Sequence, residues 1–207
     1  MRKVLFMTGL ISLLASLSGC SSEPKAELLR KPAGKILIVC YSESGNRNTL
    51  TAAKWIREQV GGDLYQIKMV KPYSASYRKV LKESKLHLDN GVKPEILPFT
   101  GKVADYDTIF VGSPVWYGTF APPLATFFGK HDLSGKTVIP FCTHGGGGAG
   151  HLYEDVAKAA PHSKILPGLT LRGSNVVERT LGLGTGNKAS PDEVVRWLNQ
   201  IIPAAAE

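Results

Sequence analysis

Apolar runs and amphipathic stretches alternate along most of this chain of 207 residues. Runs such as "ILIVC" and "TIFVG" are continuously apolar, which is typical of strands that are covered on both faces. The alternation predicts an α/β fold in which a parallel sheet lies between two layers of helices. The predicted strands span 35–41, 63–69, 107–113, 136–142 and 163–171, and the predicted helices span 50–60, 76–88, 122–130, 151–160 and 190–202.

Glycine, serine and proline mark two of the predicted helix ends. Gly61 and Gly62 are expected to end the first helix, whereas Ser190 and Pro191 have the residue types of an N-cap and a first helical position. The long, Gly-rich segment 172–190 between the last strand and the last helix is predicted to be an exposed loop.

The first nineteen residues differ from the rest of the chain. Arg2 and Lys3 precede the apolar run "VLFMTGLISLLASL", which has the pattern of a signal peptide and is too short and too rich in Ser and Gly for a transmembrane anchor. The stretch "LSGC" that ends at Cys20 resembles the lipobox of bacterial lipoproteins, in which the cysteine becomes the lipid-modified first residue. The alternative is a free cysteine after an ordinary signal peptide.

We therefore predict a lipoprotein signal peptide over 1–19, a lipidated tether over 20–34 and a folded domain over 35–207. The predicted location is the bacterial cell envelope, where the protein is lipid-anchored at Cys20 and faces away from the cytoplasm. The formal charge of +8 falls to +6 when Arg2 and Lys3 leave with the signal peptide, because no acid leaves with them. No nucleic-acid motif accompanies this excess, so we interpret it as solvated lysines and expect no nucleic-acid partner.

Small and polar residues follow three of the predicted strands at the point where each strand ends. Ligands of an open parallel sheet bind at the carboxyl ends of the strands, where the strand order reverses. Three such loops at one edge can therefore form one site. They are "SESGNRNT" (42–49), "GSPVWYGT" (112–119) and "THGGGG" (143–148).

With these loops in place, the sequence resembles the flavodoxin-like family, in particular its bacterial flavodoxin 4-type members. The resemblance covers about residues 35–202 and includes "VKPYSASYRKV", "KPEI" and "DLSGKTVIPFCTHGGG". It implies a doubly wound five-stranded parallel sheet in the order 2-1-3-4-5, with helices on both faces. It also implies FMN as the cofactor.

The resemblance assigns a role to each of the three loops. The phosphate of FMN would be held by the first loop, the isoalloxazine ring would stack on Trp116 with Tyr117 and Gly118 at its N5 edge, and the third loop would face the pyrimidine edge. The residues implied are Ser42, Ser44, Gly45, Asn46 and Thr49 for the phosphate, Pro114, Val115, Trp116, Tyr117 and Gly118 for the ring, and Thr143, His144, Gly145 and Gly146 for the pyrimidine edge.

The residue types fit this chemistry independently of the family. A phosphate held without a metal needs several neutral donors at the start of a helix, and the first loop supplies them. A planar ring needs an aromatic platform, although simple core packing is an alternative role for Trp116. Consecutive glycines allow backbone N–H groups to turn toward an anion, and a protonated His144 beside it would favour reduction of the flavin.

One feature departs from the family pattern. Members usually have Ser/Thr-Gly-Asn-Thr at the phosphate, whereas here Arg47 and Asn48 stand between Asn46 and Thr49. Either the loop is longer and Thr49 takes the usual role, or Arg47 pairs with the phosphate as a charge.

Two other glycine motifs and the cysteines do not support a different site. "GGGGAG" (145–150) matches a dinucleotide fingerprint but lacks the acid about 20 residues later, and "SGKT" (134–137) lacks the spacing of a P-loop. Cys40 and Cys142 end predicted strands that are separated by a third, a distance of about 9–10 Å that a disulfide does not bridge. We expect both to be packing residues rather than metal ligands.

The predicted function is that of an FMN-binding, membrane-tethered redox protein that passes electrons or reduces quinone-like acceptors. Whether it turns over as an NAD(P)H-dependent enzyme stays open, because no nucleophile or acid–base pair is apparent and the flavin would supply the chemistry. The alternative is a non-catalytic lipoprotein that binds FMN or another phosphate-bearing ligand.

Overall fold

The computed structural model of the chain describes residues 32, 34–43, 46–74, 76–173 and 189–202. The strands are β1 (Ile36–Tyr41), β2 (Asp63–Ile67), β3 (Thr108–Trp116), β4 (Thr119–Phe120), β5 (Thr137–His144), β6 (Lys164–Ile165) and β7 (Leu169–Arg172). The helices are α1 (Asn48–Val60), α2 (Tyr77–Asp89), α3 (Pro122–Lys130), α4 (Leu152–Ala159) and α5 (Pro191–Ile201), with a short 3₁₀ helix over Val103–Asp105.

The sheet has the predicted strand order. Strands β2, β1, β3 and β5 lie side by side and are parallel, and both β6 and β7 pair with β5 in the parallel sense. The order 2-1-3-4-5 is therefore confirmed when β5 is taken as the fourth predicted strand and β6 with β7 as the fifth. This is the doubly wound, flavodoxin-like α/β fold.

The predicted number of five strands needs a correction, since the sheet contains seven. The fifth predicted strand is interrupted at residues 166–168, where Pro167 has no N–H to donate to the sheet. The other addition is β4, which pairs antiparallel with the end of β3 through Val115–Phe120 and Trp116–Thr119. Both additions come from local interruptions that an apolar run does not reveal.

The centre of the sheet is buried on both faces, which explains the continuously apolar runs of β1 and of the first part of β3. Alternate residues of β1 belong to different cores: Leu37 and Val39 pack on one face, and Ile38 and Cys40 on the other. Helices α3 and α4 cover the first face, whereas α1 and α5 cover the second. Successive side chains of a strand point to opposite faces, so a strand that is covered twice has no polar position to spare.

The predicted helix ends are confirmed. Gly61 follows α1 with φ 77°, and its N–H donates to the Arg57 carbonyl at 2.8 Å. Ser190 lies immediately before α5, and its N–H donates to Glu193 Oε2 at 2.9 Å. These contacts satisfy backbone groups that the helices leave unpaired at their ends.

The two described cysteines lie where the strand order predicted. Cys40 aligns with Gly112 of β3 and Cys142 with Ser113, so β3 lies between them. Both are buried and free, and they face different cores. Among the described residues, no cluster of three metal-binding side chains occurs, and no helix is both long and apolar enough to cross a bilayer.

Candidate functional site

The three loops singled out in the sequence meet at one edge of the sheet. Strands β1, β3 and β5 are parallel neighbours that end at Tyr41, Trp116 and His144. Their carboxyl ends therefore lie together, and α1 begins directly beyond the first of them. Ser44 and Gly45 lie outside the described residues, as does Cys20.

The start of α1 has unusual backbone geometry. Its N-cap residue is Arg47, which is exposed, lies in the left-handed region with φ 47° and ψ 35°, and makes no side-chain capping hydrogen bond. No acidic residue lies in the first turn of the helix. The N–H groups of this turn receive no capping bond from the Arg47 side chain and form a partially positive helix end, which is a suitable environment for an anion.

Arg47 and Thr49 occupy different environments at this helix start. The Arg47 side chain is exposed at the mouth of the loop, whereas Thr49 lies within the first turn and is only 2% exposed. The Thr49 hydroxyl shares a hydrogen bond of 2.8 Å with the Thr143 hydroxyl. This contact joins the first predicted loop directly to the third.

Ser42 is the second buried hydroxyl at this edge. It is 2% exposed, and its Oγ has no hydrogen-bond partner among the described residues. Its carbonyl accepts a hydrogen bond of 2.6 Å from Gln66 Nε2, which fixes the backbone at the end of β1. Because buried polar groups are nearly always paired, an unpaired hydroxyl here suggests that its partner is a ligand.

The end of β7 lies beside the start of α1 and completes this part of the site. Its contribution was not predicted from the sequence. The Gly173 N–H donates to the His144 carbonyl at 2.9 Å. A Cβ on Gly173 would lie 2.3 Å from Asn48 Nδ2, so the absence of a side chain lets the start of α1 approach β7. Gln66 was missed as well, since neither residue lies in a motif.

The loop predicted after the third strand is a β-hairpin. Strand β3 continues through Pro114 and Val115 to Trp116, and the turn before β4 is formed by Tyr117 and Gly118 with φ 52° and 84°. The prediction that Trp116 lies in a loop is therefore wrong, because backbone pairing with β4 extends the strand. Pro114 aligns with Thr143 of β5, which keeps the hairpin beside the third loop.

Trp116 is half-buried and lies among aromatic neighbours. Its ring centroid lies 5.8 Å from that of Tyr41 and 5.5 Å from that of Tyr73, both in edge-to-face geometry. Burial, together with Glu43 and Tyr73, raises the pKa of the Tyr41 hydroxyl, so this neighbour is neutral at physiological pH. The Trp116 ring thus combines core contacts with a surface that solvent or a ligand can reach.

The hairpin turn is held by the segment that precedes α4. The His151 N–H donates to the Gly118 carbonyl at 2.8 Å, and a Cβ on Gly150 would lie 2.3 Å from that same oxygen. Asp155 accepts hydrogen bonds of 2.6 Å from Thr119 Oγ1 and from His151 Nδ1. Although burial opposes ionisation of Asp155, these donors and Lys158 lower its pKa below the ordinary value.

The environment of His144 differs from the expected one. Its Nδ1 accepts hydrogen bonds of 3.0 Å from the N–H groups of Gly146 and Gly148, so this nitrogen carries no proton. Burial and the nearby Arg172 lower the pKa of the imidazole. The expectation of a protonated His144 beside free glycine N–H groups is therefore wrong for this conformation. Gly145 is exposed at the tip of the same loop.

The fold and this edge define a flavodoxin-like protein. The family model for flavodoxin, Flavodoxin_4, matches residues 35–181, so the chain belongs to this family. No curated protein sequence matches the chain.

Three of the solved structures that are similar to this chain are flavoproteins. A provisionally assigned flavoprotein from Bacteroides eggerthii DSM 20697 is 27% identical with a TM-score of 0.67, and the match covers 83% of this chain and 100% of that chain. Its counterpart from Bacteroides uniformis ATCC 8492 is 28% identical with a TM-score of 0.66, over 81% of this chain and 99% of that chain. A flavoprotein from Lactobacillus acidophilus NCFM, solved in complex with FMN, is 26% identical with a TM-score of 0.57, over 71% and 98%.

Proposed function

We propose that this protein binds FMN at the carboxyl edge of its sheet and acts as a redox protein in the bacterial cell envelope. The observation that carries the proposal is the buried Ser42 hydroxyl, which has no hydrogen-bond partner among the described residues and lies close in sequence to the start of α1, where the Arg47 side chain makes no capping bond. The FMN complex of the similar Lactobacillus acidophilus flavoprotein supports the choice of ligand. When bound, FMN supplies the electron-transfer chemistry, and the protein tunes potential and access.

The described residues fit the phosphate end of FMN. Ser42 and Thr49 offer hydroxyls, and the first turn of α1 offers backbone N–H groups with a favourable dipole. Thr49 takes the role of the family threonine, because it is buried in the first helical turn while Arg47 is exposed. Arg47 adds an exposed positive charge at the mouth that attracts the dianion at longer range.

The hairpin and the third loop fit the ring end. Trp116 would contact a flavin face, with Tyr117 and Gly118 at the N5 edge, and Thr143 to Gly146 would face the pyrimidine edge. The neutral His144 accepts hydrogen bonds from two glycine N–H groups and so fixes the conformation of the third loop. Asp155 and His151 hold the hairpin turn in place from outside.

Binding is tested with the chain that starts at Ser21, which retains every described residue. FMN and riboflavin differ only in the phosphate, so titrating each separately isolates the phosphate contacts. FMN should bind at least about tenfold more tightly, as expected for charge-assisted hydrogen bonds. Equal affinities would contradict the phosphate site, and the absence of binding to both would contradict the whole proposal.

The redox role is tested on the FMN-loaded protein. Reduction by dithionite followed by reoxidation with a soluble quinone should occur for an electron carrier, and rapid reduction by NADPH in addition would make the protein a reductase. The second candidate is a non-catalytic lipoprotein that binds FMN or another phosphate-bearing ligand. It would bind FMN but exchange no electrons with the quinone.

Membrane tethering is proposed from the sequence "LSGC" at Cys20, after the apolar segment of the signal peptide. The quinone-like acceptors of the proposal are soluble in the same membrane. Cys20→Ser should remove the lipid and shift the mature protein from the membrane to the soluble exported fraction. If mass spectrometry finds Cys20 unmodified and the variant fractionates like the wild type, the lipoprotein assignment is wrong.

A further inference from the structure

Exposed apolar side chains are concentrated in one part of the chain. Large hydrophobic residues that are exposed within the described ranges all lie between positions 70 and 117. Two of them, Leu81 and Leu86, are on α2 and are 37% and 51% exposed. The others are Val70, Val92, Leu97 and Tyr117.

Several of these residues are connected to α2. The Val92 N–H donates to the His87 carbonyl at 2.8 Å, directly after the helix. The Tyr117 hydroxyl donates to the Leu81 carbonyl at 2.8 Å. Because apolar side chains that cluster at a surface usually mark an interaction site, the surroundings of α2 are the strongest candidate on the described molecule.

The same helix carries a concentration of positive charge. Four exposed cations lie on α2, namely Arg78, Lys79, Lys82 and Lys85. Of its two acids, Asp89 pairs with Lys85, and the half-buried Glu83 accepts the Ser74 N–H. Helices α1 and α5 on the other face carry three cations and three acids between them, so their charges balance.

The cations and leucines share the exposed side of α2. With 100° per residue, Arg78, Lys82 and Lys85 fall in the middle of that side, together with Asp89, the partner of Lys85. Leu81 and Leu86 lie on either flank of them. The opposite side contains Ser84, which is buried. We call the side formed by Arg78, Lys79, Leu81, Lys82, Lys85 and Leu86 the cationic face.

We propose that the cationic face docks on the surface of an anionic lipid bilayer. Positive side chains interleaved with exposed leucines match a surface that presents negative headgroups above an apolar layer. A second copy of this chain is a poor occupant, because two such faces would bring like charges together. The basic residues of the cationic face thus form part of the excess positive charge seen in the sequence, and in this proposal they bind lipid headgroups.

Docking would place the candidate site beside the bilayer. The cationic face adjoins the hairpin turn, since Lys85 Nζ lies 5.7 Å from the centroid of the Tyr117 ring and Tyr117 bonds to the Leu81 carbonyl. This consequence rests on the proposed redox function: an acceptor dissolved in the membrane would meet the Trp116 edge at the lipid surface. The electron partner would then be a lipid-soluble, quinone-like molecule.

The proposed lipid anchor does not set this orientation by itself. Residues 20–34 can span at most roughly 50 Å when extended, compared with a radius of gyration of roughly 15 Å for a domain of this size. A tether of that length lets the domain present any side to the membrane. The orientation therefore depends on the surface of the domain, where the cationic face is the part that complements lipid.

The first test measures binding to vesicles in the absence of flavin, using the chain that starts at Ser21. It should bind vesicles of phosphatidylcholine with phosphatidylglycerol, bind phosphatidylcholine alone weakly, and dissociate at high salt. Replacing Arg78 and Lys82 with Gln should weaken binding by about fivefold for each charge, or about 25-fold together. The matched control replaces the exposed Lys54 and Arg57 of α1 with Gln and should change binding far less.

The second test locates the contact. Cys40 and Cys142 are buried, so Leu86→Cys provides a thiol that can be labelled selectively with an environment-sensitive fluorophore. Emission should shift to the blue when anionic vesicles are added, whereas the same label on Lys54→Cys should not respond. A buried label at both positions, or at neither, would overturn the proposed orientation.

Two results of the vesicle experiments would contradict the proposal. Equal losses for the α2 and α1 charge variants would show general electrostatic attraction and overturn the cationic face as the docking site. No binding to anionic vesicles at low salt would overturn the lipid proposal and leave an acidic protein as the partner. Because no flavin is present, either failure is independent of FMN binding, and a failure of FMN binding leaves the vesicle result intact.

Discussion

The two halves of the candidate site differ in how far the protein satisfies its own polar groups. At the half proposed to hold the phosphate, the buried Ser42 hydroxyl has no hydrogen-bond partner among the described residues, and the N-cap residue Arg47 makes no side-chain capping bond. At the ring half, the N–H groups of Gly146 and Gly148 bond to His144, and the hairpin turn is held by His151. The first half therefore gains hydrogen bonds when a ligand binds, whereas the second offers mainly shape and aromatic surface.

This difference predicts that substitutions in the two halves affect different properties of the protein. In the phosphate half, they should change affinity for FMN more than they change folding. In the ring half, backbone changes should affect folding first, because the loops depend on each other for their conformation.

The largest expected effect is on folding, at the ring half. Gly150→Ala should lower the free energy of unfolding by about 2–4 kcal/mol. The new Cβ would clash with the Gly118 carbonyl oxygen, and residue 150 has left-handed backbone geometry with φ 61°. Gly135→Ala is the matched control: it has a similar φ of 74° but open space, and should lose only about 1 kcal/mol. Urea denaturation without flavin measures both, and equal losses would show that the contact with Gly118 is unimportant.

At the phosphate half, Thr49→Val should weaken FMN binding by about tenfold to 100-fold, because a hydrogen bond to a charged group is lost. Riboflavin binding should change little. Thr126→Val is the control, since Thr126 is also a buried threonine and bonds to the Pro94 carbonyl away from the site. Equal losses of FMN and riboflavin affinity in Thr49→Val would assign Thr49 a purely structural role.

Ser42→Ala should have effects of opposite sign on folding and on binding. Removing a buried hydroxyl that has no partner among the described residues should leave the flavin-free protein equally stable or raise its unfolding free energy by up to about 1 kcal/mol. The affinity for FMN should fall by about tenfold through the lost hydrogen bond. Denaturation and titration of the same variant check both parts, and a loss of stability without flavin would mean that Ser42 has a protein partner.

Trp116→Ala tests the apolar contribution of the ring half. The affinities for FMN and riboflavin should fall together by about threefold to tenfold, because aromatic pairs contribute about 0.5–1.5 kcal/mol beyond area burial. The quenching of flavin fluorescence should also decrease. Unchanged affinity and quenching, together with a loss of stability, would restrict Trp116 to core packing against Tyr41 and Tyr73.

The smallest expected effect concerns pH. The folded pKa of His144 lies below its ordinary value, so its contribution to stability is present above about pH 6.5 and declines as the pH falls below that value. His144→Gln should therefore lose less stability than the wild type between about pH 7.5 and about pH 5.5. Urea midpoints of both proteins at the two pH values measure the difference. Burial also lowers the pKa of His131, but this residue is present in both proteins and its contribution cancels in the comparison. Parallel losses would contradict the neutral His144.

Much of the fold followed from the order of apolar runs. Each predicted strand and helix has a counterpart, because a strand covered on both faces must be apolar throughout. The strand order was predicted from a family resemblance that rests on short polar motifs at the strand ends, and the sheet confirms it. The break at Pro167 and the β4 hairpin were not predicted, since both depend on backbone pairing rather than on hydrophobicity.

The sequence by itself determined which loops could reach a ligand, because parallel strands bring their carboxyl ends to one edge. The tertiary structure alone decided how the polar groups in those loops are paired. The Thr49 hydroxyl bonds to the Thr143 hydroxyl across 94 positions of the chain, and the Ser42 hydroxyl has no hydrogen-bond partner among the described residues. A sequence shows which donors and acceptors exist, but their partners are set by distances of about 3 Å that only the packed chain defines.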